Sequence, residues 1–331
     1  VAPPPPLPEP ARELTVPGFV LGHGTDREGK TGVTVVLCPE GAVGAADVRG
    51  TATGTRQFDG LRRQHGVPSK VHGFVLAGGS GFGLSAADPV VEHLAAGGHG
   101  FVTGYRPVPS VPTAILFDLA FGSAEAVPTP ALVRAALEAA APGPVACGSV
   151  GAGTGATVGK ANGVECCMKG GFGFAQLAIP GGVSVAAAVA VNAVGDVRDP
   201  ESGRTLAGCR TTPRSLELAG AERVLAALPP ETRHAWDGNT TLGVVLTDAE
   251  LDGRAARKVS EMAFGAFYRA LAPALTLYDG DLLVTLASCR QPAHVHQVAV
   301  LAQRAVERAI VAAVLEADGF GLRPAARDLS G

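Results

Sequence analysis

The segment Gly238-Asn239-Thr240-Thr241-Leu242-Gly243-Val244-Val245-Leu246-Thr247-Asp248 constrains this chain more than any other. An apolar run of β character is entered through a small polar step, Asn239-Thr240, and from a loop at 229–238 rich in proline, glycine and charge. Such a junction places a hydroxyl at the very end of a strand, beside the carbonyl of the residue before it. Scission there would turn Thr240 into an N-terminus carrying a nucleophile and its own base, an established variant of nucleophilic catalysis. The tripeptide Asn239-Thr240-Thr241 also reads as an N-x-Thr glycosylation acceptor or as an ordinary turn.

Around it, short β-rich runs at 34–37, 43–48, 73–76, 114–117, 183–191, 242–246 and 282–286 read as strands by residue type and length. Helices are expected at about 84–96 and 130–140. A third follows the pattern Thr247-Asp248-Ala249-Glu250, which fits a capping box, with Leu251, Ala255, Val259, Met262, Ala266 and Leu271 at helical spacing until Pro273 stops it. The last runs from about His294 to Asp318, with Val298, Ala302, Ala305 and Ala309 on one side and Gly319 as its cap. This mixture predicts sheets covered by helices, with parallel or antiparallel pairing left open. Charge, proline and glycine collect at 198–238, which reads as a long loop and a mobile approach to the 239–240 junction.

Composition narrows the classes. Of 331 residues, 47% are hydrophobic and 17% charged, enough for a sizeable core and against general disorder. A net charge of -3 without a Lys/Arg block speaks against a nucleic-acid partner. The first ten residues hold six prolines and read as the start of a disordered tail over 1–15, not as a signal peptide. Apolar stretches such as 183–194 fall short of membrane length. Cys38, Cys147, Cys166, Cys167, Cys209 and Cys289 show no CxxC spacing, which reads as free thiols in a reducing cytoplasm. No cofactor or metal is called for. Gly151-x-Gly153-x-x-Ala156 lacks a preceding strand for a dinucleotide loop, and Gly159-Lys160 is followed by Ala161, which no P-loop allows. Gly78-Gly79-Ser80-Gly81 runs into Phe82 where a nucleophile elbow needs glycine. His294 and His296 point to different faces of a helix, a poor start for zinc.

Taken together, several stretches resemble the DmpA-like family of L-aminopeptidase/D-esterases, which includes the nylon-oligomer hydrolases. They are Gly22-His23-Gly24-Thr25-Asp26, Asp47-Val48-Arg49-Gly50, Ala77-Gly78-Gly79-Ser80-Gly81-Phe82-Gly83-Leu84, Gly151 through Lys160, Val191-Asn192-Ala193-Val194-Gly195-Asp196, Gly238-Asn239-Thr240-Thr241 and Asp279-Gly280-Asp281. Their order and spacing span the chain from Val20 to about Ser288. The resemblance implies an α/β, four-layer αββα sandwich with mixed sheets, similar to N-terminal-nucleophile hydrolases and ornithine acetyltransferases. It implies one hydrolase domain over 16–331, cut between Asn239 and Thr240 into a 16–239 large subunit and a 240–331 small subunit. Several such two-chain protomers would assemble into a homo-oligomer.

The resemblance also assigns roles. Thr240 is the nucleophile. Lys160 depresses the amine's pKa or holds an oxygen of the tetrahedral intermediate; Asn192, an amide inside an apolar strand, donates its NH2 to the oxyanion. Asp279 and Asp281 orient the α-ammonium or Lys160, although the pair alone reads as a plain Asp-Gly turn. Gly79, Ser80 and Gly81 bring backbone N–H groups to the substrate, and Phe82 stands where some relatives carry Tyr. The expected substrates are short peptides, amino-acid amides or esters bearing a free amino group. The alternatives are an acyltransferase of the ornithine acetyltransferase type, or a binding protein that never matures.

Overall fold

Nine strands, most of them built on short apolar runs, form one connected sheet in the computed structural model, which describes residues 7–62, 70–232 and 238–330. The strands are β1 (Val20–Asp26), β2 (Thr31–Val48), β3 (Thr55–Arg56), β4 (Lys70–Ala77), β5 (Thr113–Ile115), β6 (Gly171–Ala178), β7 (Ser184–Asn192), β8 (Thr240–Ala249) and β9 (Leu282–Gln291). Their order is β6-β7-β8-β9-β2-β4-β5-β3, with β1 also on β2. The β8–β9 and β4–β5 pairs are parallel, and the others antiparallel.

The two runs expected at 34–37 and 43–48 are one strand of 18 residues. Its register with β4 slips between Leu37 and Ala42, where Pro39-Glu40-Gly41 interrupts the ladder. Residues 31–37 pair with β1 and 43–48 with β9, so β2 belongs to both halves of the sheet. The halves face each other: one buried cluster takes Val36, Phe74 and Leu76 from one and Ala188, Val244 and Val284 from the other. Helices α1 (Ala87–Ala96) and α2 (Pro130–Glu138) cover one outer face, packing Val90 and Val133 on Val35 and Val75. Helices α3 (Gly253–Ala263), α4 (Gly265–Ala270) and α5 (Val295–Leu315) cover the other, packing Val259, Phe267 and Ile310 on Val189 and Val245. The result is the helix–sheet–sheet–helix layering expected, with mixed pairing. Each fully buried Val or Leu in these clusters contributes roughly 1.5–3 kcal/mol relative to exposure.

Several boundaries differ from the expectation. Thr247 and Asp248 continue β8 and do not cap a helix, because β7 and β9 flank the strand on both sides. The Thr247 hydroxyl donates to Ser184 O at 2.9 Å and the Asp248 carboxylate accepts the Ser184 N–H at 2.8 Å. The helix starts after Asp252, whose carboxylate accepts the Ala255 N–H at 2.8 Å. It is interrupted at Phe264, and Leu271–Ala272 leave it as a short strand paired with Asp196–Arg198. A 3-10 turn, Ser80–Ala86, precedes α1, and α5 ends at Leu315 with Glu316 as its cap instead of Gly319.

The tail is ordered sooner than 1–15 implies. Ala11 bridges to Gln176, Glu13–Leu14 pair with Gly143–Pro144, and Leu14 is buried; residues 1–6 lie outside the described ones. The expected loop at 198–238 contains a strand, Thr205–Ala207, and a helix, Ala221–Ala226. The buried Arg210 guanidinium anchors it by donating to carbonyls of Glu165, Cys167, Thr212, Pro213 and Ser215. The last part of the expected mobile approach, 233–237, lies outside the described residues. No described helix is long and apolar enough to cross a membrane.

Candidate active site

Strand parity builds the site. In β8, Leu242, Val244 and Leu246 face the space between the sheet halves, so Thr240, two residues earlier, faces it too. In β7, Ala186, Ala188 and Ala190 do the same, and so does Asn192. The antiparallel register sets Asn192 directly opposite Thr240, and both are buried.

The Thr240 hydroxyl donates to the carbonyl oxygen of Asn239, the residue before it. That oxygen also accepts the Gly280 N–H at 2.8 Å, and the Asn239 N–H donates to Tyr278 O at 3.2 Å. Asn239 thereby bridges in parallel to Asp279, just ahead of the β8–β9 ladder. A Cβ at position 280 would lie 2.7 Å from Thr240 Oγ1 and 2.6 Å from Ala52 O, so this close approach requires glycine. The Asn239 Oδ1 and Thr241 Oγ1 atoms are buried with no hydrogen-bond partner among the described residues.

Lys160 and Asn192 form the next layer. Lys160 Nζ donates to Asn192 O at 3.0 Å and to Asn192 Oδ1 at 2.9 Å, and the Thr157 N–H donates to the same Oδ1 at 2.9 Å. Two donors on Oδ1 assign the amide's orientation. Its NH2 then donates to Phe117 O at 2.9 Å and Gly238 O at 3.5 Å. This NH2 therefore lies one residue short of the Asn239 carbonyl, which accepts the Gly280 N–H instead.

The two aspartates grip the main chain from the other side. Asp281 Oδ1 accepts the Thr241 N–H at 2.6 Å and Oδ2 the Leu275 N–H at 3.2 Å. Asp279 accepts the Val194 N–H at 3.3 Å, and at its other oxygen the Thr276 N–H at 2.9 Å and hydroxyl at 2.5 Å. The Arg49 and Gly50 N–H groups hold Asp281 O at 3.1 and 2.9 Å. Burial pushes both carboxyls above the usual range; the Asp279 charge pushes Asp281 further, and the Lys160 cation pulls both back.

The loop at 79–82 departs from the expectation. The Gly79 N–H is taken by Asp118 Oδ1 at 2.7 Å and the Ser80 N–H by Leu116 O at 3.0 Å, so both donors point into the protein instead of toward a substrate. Gly81 borders open space, and Phe82 is 68% exposed. Besides Tyr278, Phe117 touches the cluster: its carbonyl takes the Asn192 NH2 and its side chain packs beside Gly238, 2.4 Å from where a Cβ there would stand. With Asp118, Gly155, Thr157, Lys160 and Cys167 it lines a cleft next to Asn192. Sequence reasoning missed Phe117, Thr157 and Gly280. The last two act through backbone N–H groups, which leave no side-chain signature; Phe117 was visible only as the end of an apolar run. Among the described residues, no three His, Cys, Asp or Glu side chains are placed to hold a metal ion.

Residues 14–324 match the model of peptidase family S58. The chain belongs to that family. As a member it is a hydrolase acting on peptide or amide bonds. It is similar to an uncharacterized aminopeptidase of Mycobacterium leprae, 38% identical over 270 residues, covering 78% of this chain and 70% of that one. It is 31% identical over 280 residues to the 6-aminohexanoate-oligomer endohydrolase of Paenarthrobacter ureafaciens, covering 82% and 73%. The layering agrees with that of a Burkholderia sp. β-aminopeptidase, with a TM-score of 0.71 at 19% identity over 98% of this chain and 94% of the other. It likewise agrees with the L-aminopeptidase D-Ala-esterase/amidase of Ochrobactrum anthropi, with a TM-score of 0.69 at 18% identity over 96% and 89%. At these identities the two structures speak to the S58 fold alone.

Proposed function

We propose that this S58 chain cuts itself between Asn239 and Thr240 and then hydrolyses small amides through the freed Thr240. One observation carries the reading: the Thr240 hydroxyl lies against the Asn239 carbonyl, whose oxygen is already held by Gly280 N–H. In the first reaction Thr240 Oγ1 attacks the Asn239 carbonyl carbon. The C–N bond breaks as the C–O bond forms, the hydroxyl proton ends on the departing Thr240 nitrogen, and an ester with a free α-amine results. Water adds to the ester, restoring the hydroxyl and leaving Asn239 as a carboxylate. In each later turnover the α-amine takes the hydroxyl proton as Oγ1 attacks the substrate carbonyl and passes it to the leaving amine; water then opens the acyl ester, releasing the acid and restoring the Thr240 hydroxyl. An ordinary α-amine, with a pKa of about 7.7–8.0, suits that exchange near neutral pH.

In this reading Lys160 keeps positive charge beside the reacting centre, Asn192 supplies an amide donor, and Asp279 and Asp281 face the ammonium that cleavage creates. The two fragments stay together because β8 sits between β7 of the large fragment and β9 of the small one, and both major cores draw on both. Assembly of several such protomers belongs to the same reading and rests on the family resemblance; light scattering on the purified protein measures it. The substrate class, short peptides, amino-acid amides or esters with a free amine, is supported by the aminopeptidase and oligoamide-hydrolase names of the relatives.

Denaturing electrophoresis tests it. Two bands are expected, the smaller beginning Thr-Thr-Leu-Gly on N-terminal sequencing. Thr240→Ala is expected to give one full-length band without amidase activity, whereas Thr241→Ala is still cut. An intact polypeptide that hydrolyses its substrate briskly overturns the reading. Adding an amine acceptor to an amino-acid amide assay separates hydrolysis from acyl transfer.

A further inference from the structure

Two charged side chains outside the nucleophile cluster are fully buried on either side of one turn, at 153–156. Lys169 donates its ammonium hydrogens to the carbonyls of Gly153 at 2.8 Å, Ala156 at 2.7 Å and Gly170 at 3.0 Å. Asp118 accepts the Gly79 N–H at 2.7 Å on Oδ1 and the Thr31 hydroxyl at 2.8 Å on Oδ2. Its Cβ packs on Gly155, where an added Cβ would stand only 2.6 Å away. The ammonium thus grips both ends of the turn and the carboxylate its middle. Buried charges with a full set of partners are expensive to build, and their energetic return lies in fixing geometry.

What they fix leads to the site. Thr157 follows the turn directly and Lys160 lies three residues beyond, and both donate to Asn192 Oδ1. Phe117, adjacent to Asp118, supplies the carbonyl for the Asn192 NH2. Thr157 N–H, Lys160 Nζ and Phe117 O, three of the four groups that orient the Asn192 amide, therefore hang on backbone held by one of these two charges; the fourth, Gly238 O, belongs to the main chain being positioned.

We propose that Asp118 and Lys169 are positioning residues for self-cleavage and turnover, holding the 153–156 turn and the 116–118 segment so that the Asn192 amide keeps its NH2 toward the 238–240 main chain. This rests on the self-cleavage reading above. Burial draws the Lys169 ammonium down to about 7 and pushes the Asp118 carboxyl up to about 6, while each charge opposes the other's shift. Asp118, Cys167 and Asp318 face Lys169 as groups that favour its cation, and Lys160 opposes it.

The test uses the full chain and follows the rate at which the two fragments form across pH, then kcat and KM on an amino-acid amide. Asp118→Asn is isosteric, retaining an acceptor for Gly79 N–H and a polar partner for Thr31 while removing the counter-charge. It is expected to slow fragment formation at least about tenfold and to lower kcat with little change in KM. The basic limb of the cleavage profile is expected to move to lower pH by about one unit, because Lys169 loses its opposite charge. Lys169→Met is expected to cut slowly without that limb. Wild-type kinetics in Asp118→Asn, a loss that tracks thermal stability with an unmoved limb, or a variant chain that does not fold would each assign the pair to the core alone and overturn the positioning role. Fragment formation in Thr240→Ala would instead overturn the self-cleavage reading itself.

Discussion

The two ends of strand β8 carry nearly the same chemistry and do opposite things with it. At its C-terminal end, Thr247 and Asp248 close a complete network: the hydroxyl donates to Ser184 O and accepts from Ala249 N–H, and the carboxylate takes Ser184 N–H. At its N-terminal end, Thr240 leans on the carbonyl of its own peptide neighbour, while Asn239 Oδ1 and Thr241 Oγ1 lack partners among the described residues. Buried polar atoms are normally satisfied, so orphans cluster where function sets the geometry. A threonine at a strand end is thus not itself a signature. The difference lies in whether the hydroxyl closes a network with a neighbouring strand, as at Thr247, or is directed at the carbonyl of the residue just before it, as at Thr240.

The comparison breaks most sharply at Gly280. Alanine there would push its Cβ against Thr240 Oγ1 and Ala52 O and displace the N–H that holds the Asn239 carbonyl. Losing one such donor costs about 10²–10³ in rate at comparable oxyanion sites. Gly280→Ala is therefore expected to accumulate as a folded, full-length chain for hours when wild type is fully cut, read by electrophoresis beside circular dichroism. Cleavage at the normal rate would show that the Gly280 contact does nothing for the reaction.

Removing a member of the supporting layer has a smaller effect. Asn192→Ala and Lys160→Ala are expected to fold and to process about tenfold or more slowly, since each leaves the hydroxyl–carbonyl approach intact but frees its surroundings to shift. A time course of the small fragment measures this. Normal maturation and turnover in both would remove them from the site.

How much of this was legible depends on where the information resides. The nucleophile junction could be read because a small polar step abuts an apolar run, and Asn192 because an amide interrupts Val183 to Val194. The helices of the outer layers could be read from their spacing. The capping pattern at 247–250 misled because a local motif competes with two flanking strands, and the ladder wins when tertiary pairing satisfies the same groups. Phe82 sat in a glycine-rich motif that suggested the site, yet it is exposed, and Phe117, with no motif of its own, makes the contact. Asp118 and Lys169 left one faint trace, single charges beside apolar or glycine-rich runs, but nothing local says that they meet across a turn at 153–156.

Charge adds a further test at the N-terminal end. Burial raises Asp281 well above an ordinary carboxyl, and Asp279 adds to the rise. The sign follows from linkage: the folded chain holds this proton more tightly than the unfolded one, so the contribution is present below about pH 4 and is lost as pH climbs through the raised value. In the uncut Thr240→Ala background, unfolding free energy is expected to fall over that window, and to fall less steeply once Asp281→Asn is added. Urea titrations at successive pH values give the two slopes; equal slopes would mean that Asp281 ionises as freely in the fold as outside it.

The smallest effect gives the most direct comparison, because one substitution made at both ends should change sign. Thr247→Val removes a hydroxyl with a donor and an acceptor bond and strands the Ser184 carbonyl, a cost of about 1–2 kcal/mol. Thr241→Val replaces an unpartnered buried hydroxyl with a methyl of the same shape, which is expected to leave stability unchanged or raise it by up to about 1 kcal/mol. Both variants are expected to be cut at the wild-type rate, since neither hydroxyl touches the Asn239 carbonyl. A loss of stability at 241 equal to that at 247 would mean that the Thr241 hydroxyl has a partner after all. The two ends of β8 would then differ in the one contact at Thr240, and not in how completely each closes its hydrogen bonds.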